Sequence, residues 1–145
     1  MIKMLDFDQI KKKFPYDFPV DLLPPGAKEE RIKTYRVCTT GKVENESFLP
    51  TYIEFKNIKE FDESDIGDYS LSTFNEHREV KNILKLLSKR KPISILAIGY
   101  TDPSCGPCQR SKERTGKKTS HIDWWLYEGA QPHLFFEEYK EEEIK

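Results

Sequence analysis

Residues 73–100 read TFNEHREVKNILKLLSKRKPISILAIGY, a charged stretch with a periodic apolar stripe that runs into a nearly continuous apolar segment. Val80, Ile83, Leu84 and Leu87 recur at i, i+3, i+4 and i+7, the spacing that gathers side chains on one helix face. Thr73-Phe74-Asn75-Glu76 fits a capping box, in which a threonine hydroxyl and a glutamate three residues on each accept from a free backbone N–H. Lys89, Arg90 and Lys91 put cations in the last turn, where they complement the helix dipole, and Pro92 stops the helix. The spacing predicts a helix over about 73–90. ISILAIGY, residues 93–100, then predicts a central strand buried on both faces.

Strand signals lie upstream of that helix. TYRVCTT (34–40) and LPTYIEFK (49–56) are dominated by β-branched and aromatic residues. NIKEFDESDIGD (57–68) is acidic and turn-rich, and DYSLST (68–73) is a short strand entering the helix. At the start, Leu5, Phe7, Ile10 and Phe14 have the spacing of a short N-terminal helix, which Pro15 ends because the residue before a proline avoids helical geometry. PYDFPVDLLPP (15–25) carries four prolines among apolar residues. It predicts an extended arm over the core, residues 1–27 forming helix plus arm.

Downstream, residues 101–119 have no apolar periodicity and predict a polar loop. HIDWWLYE (121–128) alternates, with Ile122, Trp124 and Leu126 on one face and His121, Asp123, Trp125 and Tyr127 on the other. Gly129–Pro132 predicts a turn, HLFFEEY (133–139) a last strand, and 137–145 an acidic tail. The expected fold is a single α+β domain over residues 1–145, a mainly antiparallel sheet with one main helix packed on it.

The composition sets the limits on function. At 145 residues, 34% charged and 12% aromatic, the chain is long enough for its own core and too aromatic for disorder. A net charge of −1 gives no global field toward nucleic acid or membrane. No apolar run approaches the roughly 18 residues of a membrane span. MIKMLDFDQIKKKF has no apolar signal-peptide core, and three cysteines is an odd count, so a soluble, cytoplasmic protein with reduced thiols is expected.

Cys105-Gly106-Pro107-Cys108 has the active-site sequence of the thioredoxins and resembles them over those four residues and the preceding strand. The resemblance implies thiol–disulfide exchange at Cys105 and Cys108. That chemistry needs the first cysteine at the N-terminus of a long helix, which stabilises the thiolate. The segment after Cys108, QRSKERTGKKTS, has no apolar residue to seat such a helix, and Ser104 stands where thioredoxins carry tryptophan. A zinc alternative uses Cys105, Cys108, His121 and His133, residue types suited to tetrahedral zinc. The first three have zinc-finger spacing, but eleven residues separate the two histidines.

Two further sets stand out. Arg110, Lys112, Arg114, Lys117 and Lys118 put five cations into nine residues, and an outward Trp125 on the next strand would supply an aromatic anchor. Together they favour a binding module that engages an anionic protein or nucleic acid through loop 109–118; a second copy of this chain, with its acidic tail, would also fit.

Arg36 on an early strand, YSLSTF, a helix and ISILAIGY together resemble the layout of the mono-ADP-ribosyltransferases. By that resemblance Arg36 would bind the phosphates or ribose of NAD, Ser72 and Thr73 would shape the nicotinamide pocket, and Glu128 would be the late catalytic glutamate. Position 74 is phenylalanine where that family has a second serine. No metal or cofactor is favoured; NAD and zinc are the alternatives.

Overall fold

In the computed structural model, which describes residues 11–50, 53 and 64–140, six strands form one sheet. They are β1 (Lys33–Cys38), β2 (Leu71–Phe74), β3 (Ile95–Tyr100), β4 (Cys108–Arg110), β5 (His121–Trp124) and β6 (Phe136–Glu138). The order across the sheet is β4-β5-β2-β1-β3-β6, and every neighbouring pair is antiparallel. One main helix, α1 (His77–Ser88), connects β2 to β3, and a five-residue helix, α2 (Ser111–Thr115), connects β4 to β5. The α+β architecture with one helix on an antiparallel sheet is the one the patterning indicates.

Side-chain alternation sorts the apolar residues to two faces of this sheet. Tyr35, Val37 and Leu96 point one way and are covered by α1, where Val80 is fully buried and Ile83 and Leu84 are partly so. Leu71, Ala97, Ile122, Trp124 and Phe136 point the other way. They pack with Cys108 of edge strand β4 and are covered by Phe48 and Cys105, which lie in single 3-10 turns, and by Leu126 just beyond β5. A third cluster forms beyond the end of β5. There Phe14, Phe18, Val20, Leu23 and Ala27 of the proline-rich segment enclose Trp125 and Tyr127. The segment covers the core but is not extended, since it runs as a series of turns with a 3-10 helix at Val20–Leu22, and the Phe14 and Phe18 rings stack at 4.1 Å between centroids.

Several boundaries differ from expectation. Helix α1 begins at His77, not at Thr73, and the residue before it, Glu76, makes no side-chain cap. Thr73 lies in β2, fully buried opposite Ile122, and cannot also start a helix. Sheet pairing there outweighs the local capping signal. Strand β3 is penultimate in the sheet, not central, between β1 and the short edge strand β6.

Residues 101–119 are not a continuous polar loop, since they contain β4 and α2. Glu137 and Glu138 belong to β6 and not to a solvated tail, because β3 supplies backbone partners for them. The expected N-terminal helix (1–10) and most of the expected 49–56 strand lie outside the described residues. Within the latter, Ile53 is helical, its N–H bonded to the Pro50 carbonyl at 3.0 Å. Among the described residues no helix is long and apolar enough to cross a membrane.

Leu71 is fully buried at the junction of β2 with the turn layer. Leu71→Ala is expected to lower the unfolding free energy by about 2–5 kcal/mol, from lost transfer energy and the cavity left behind. Chemical denaturation should show a lower midpoint with an unchanged slope.

Candidate functional site

The β4–α2–β5 segment is organised around Asp123, which is 0% exposed. Its carboxylate accepts from Arg114 Nε at 2.8 Å and from Ser70 Oγ at 3.2 Å. Arg114 also lies 3.6 Å from Asp65 across the same contact. The sequence grouped Arg114 with the free loop cations; the structure places it in an internal ion pair that ties α2 to β5. A second anchor holds the far side of the segment. Glu79 of α1 accepts from Thr119 Oγ1 at 2.6 Å and from Ser120 N and Oγ, both at 2.8 Å. Burial alone would raise the Glu79 pKa, but these three donors outweigh it and lower it below its ordinary value of 4.5.

The remaining cations are exposed, Lys117 and Lys118 between the two anchored points and Arg110 and Lys112 just before the first. Trp125 is not beside them. It is 0% exposed, and its Nε1–H donates to the Ile66 carbonyl at 2.9 Å. Alternation correctly sends the two tryptophans to different sides, but the arm makes the second side dry as well as the first. The expected outward aromatic anchor at Trp125 is therefore corrected.

Cys105 and Cys108 form a wall of the core. The Cys105 carbonyl accepts from Tyr127 N at 2.8 Å, and that of Pro107 accepts from Trp125 N at 2.9 Å. The Gly106 carbonyl accepts from Trp124 Nε1 at 3.1 Å. Gly106 has φ 138°, and a Cβ there would overlap the Trp125 carbonyl, so the tetrapeptide needs this glycine for close packing. After Cys108 comes strand β4 and not a helix, so no helix terminus faces either sulfur. All three cysteines are free and buried. Burial raises the Cys105 thiol pKa and pushes Cys38 and Cys108 up to about 11. Such thiols stay protonated near neutral pH, the opposite of a dithiol catalyst.

The zinc set is not assembled. His121 lies on the α1 side of the sheet, its Nδ1 against Ser111 Oγ and 3.5 Å from Asp123, whereas Cys108 packs on the other side with Ile122 and Trp124. His133 is in the turn Pro132–Phe135, with its ring 6.5 Å from that of Phe48. Among the described residues no three metal-binding side chains converge. Ser111, His121 and Asp123 are not a proton relay either, because serine and aspartate meet the same imidazole nitrogen and leave none between them.

The residues of the ADP-ribosyltransferase resemblance are used structurally or lie apart. Arg36 donates to the Ser47 carbonyl at 3.0 Å and to the Ser72 carbonyl at 2.9 Å. Thr73 is buried in β2. Glu128 lines a cleft with Lys12, Lys13 and Tyr127 that includes none of Arg36, Ser72 and Thr73. Comparison of the chain with known protein families, curated proteins and solved structures gave no match. The residue that sequence reasoning missed is Asp123. Its signal was a lone carboxylate between Ile122 and Trp124 in an otherwise apolar strand.

Two outcomes check this geometry. Native Cys108 is expected to react with a thiol reagent at pH 7 far more slowly than in urea-unfolded protein, as mass spectrometry would show. Asp123→Ala leaves Arg114 with only Asp65 and Ser70 with only the Gly67 carbonyl, and is expected to cost about 2–3 kcal/mol, below the figure for a fully buried pair because Arg114 keeps that partner and some contact with water. A double-mutant cycle with Arg114→Ala measures the coupling.

Proposed function

We propose that this protein is a soluble cytoplasmic binding module that engages an anionic macromolecule through residues 110–118. The observation that carries this is the placement of Arg110, Lys112, Lys117 and Lys118. They stand exposed on a segment fixed at one side by Asp123 and at the other by Glu79. A pre-ordered cationic surface loses less conformational freedom on binding than a flexible one. The net charge of −1 makes the attraction local to this patch. Three free, buried thiols support a reducing compartment.

The test is the salt needed to elute the protein from immobilised heparin. Replacing Arg110, Lys112, Lys117 and Lys118 with alanine is expected to abolish retention at physiological salt without changing the circular dichroism, since all four side chains are exposed. For a phosphate polymer, four such contacts imply that affinity falls about a hundredfold between 50 and 200 mM salt. A control variant, Lys85→Ala with Lys89→Ala on the far end of α1, should be retained as the wild type is. Equal retention of this four-alanine variant of segment 110–118, the basic tip, would remove the reading.

A further inference from the structure

A second feature lies away from the 110–118 segment, toward the opposite edge of the sheet. An open cleft of about 470 Å³ lies where β3 meets β6. Arg31, Lys33, Ile98, Tyr100, Phe135 and Glu137 are among the residues that line it. Two aromatic rings are presented to solvent here, Tyr100 and Phe135 each being 38% exposed. The Arg31 guanidinium lies over the Tyr100 ring at 4.0 Å from its centroid, a cation–π contact that also presents a flat cationic face. Neither Arg31 nor Lys33 is held in an ion pair among the described residues.

The strand registers relate this cleft to the basic tip. Lys33 pairs with Tyr100, Tyr35 with Phe74, Phe74 with His121, and Arg110 with Ile122. The start of β1 and the ends of β3 and β4 therefore lie at one end of the sheet. Four inter-strand steps separate β4 from β3, roughly 19 Å at the usual spacing. Lys33 and Tyr100 also face the α1 side, to which α2 belongs, whereas Arg110, paired with Ile122, stands on the other face at the sheet edge.

We infer that the cleft is a nucleobase site and that the anionic partner is single-stranded nucleic acid. This deepens the binding reading above and rests on it for the polymer's remaining phosphates. A base stacks on the Arg31–Tyr100 pair or on Phe135, as bases do on aromatic and guanidinium planes in single-strand readers. Lys33 meets a phosphate beside it. Glu137, the one carboxylate of the cleft, repels phosphate but accepts from an exocyclic amino group, as carboxylates do from cytosine N4. The site therefore prefers a base with an amino edge over one without.

Fluorescence anisotropy of the full chain tests this with four labelled probes: a cytosine 12-mer, a thymine 12-mer, a duplex 12-mer and poly-glutamate. The cytosine 12-mer is expected to bind at least tenfold tighter than the duplex or poly-glutamate. Tyr100→Ala with Phe135→Ala should weaken single-strand binding tenfold or more, while Tyr100→Phe keeps it. Glu137→Gln should erase the preference for cytosine over thymine. If poly-glutamate or duplex binds as tightly and only the tip variant loses affinity, the base site is overturned and the binding reading stands. If no probe binds, the inference and the reading beneath it both fall. Both rings are exposed, so the alanine variants should keep the native near-ultraviolet spectrum; a changed spectrum shifts the decision to Tyr100→Phe and Glu137→Gln alone.

Discussion

A carboxylate withdrawn completely from water holds the β4–α2–β5 segment of this molecule together. Taking an unpaired charge into a protein interior costs several kcal/mol, and Asp123 is tolerable only because Arg114 and Ser70 meet it. The consequence is directional. Asp123 lies on β5 between β2 and β4, so the ion pair draws α2 down onto the sheet and fixes where the chain turns back. The neighbouring lysines and arginine are exposed, whereas Arg114 is committed inward. The surface charge of the segment is thus set by an interior constraint.

The same economy explains the Cys-Gly-Pro-Cys tetrapeptide. Its backbone carbonyls accept from the two tryptophans and from Tyr127, so it serves as a hydrogen-bonding partner for a strand that has left the sheet. Gly106 allows the close approach, and the sulfurs fill core volume as small apolar groups. A four-residue match to a redox sequence carries the chemistry only when a helix dipole stands behind it. Here a strand stands there instead.

What the sequence made legible was whatever rests on periodicity. The stripe Val80, Ile83, Leu84 and the run Ile95–Tyr100 gave α1 and β3, and with them the α+β class. That the proline-rich segment stays out of the sheet was legible from its prolines, but its turns and 3-10 helix were not. What it hid depends on contacts between distant residues. Strand β4 is three residues long and exists because β5 and an isolated bridge to Lys28 flank it. Alternation in HIDWW separated two faces but could not say that both are dry, since the covering residues lie a hundred positions earlier. Thr73 carried a sound helix-start signal, and the sheet overrode it. The cleft at Tyr100 and Phe135 joins three separate segments, and no local pattern marks it.

The strand order has a bearing on how the molecule is assembled. Strand β1 sits between β2 and β3, its Tyr35 paired with Phe74 and Ile98, and β3 in turn takes β6 as its outer neighbour. No strand of the central trio finds its neighbour through a tight hairpin, so each pairing closes a long loop before any pairing energy returns. The ladder that joins β1 to β3 therefore needs the chain through Tyr100, and the cleft at the edge of β3 needs it through Glu138.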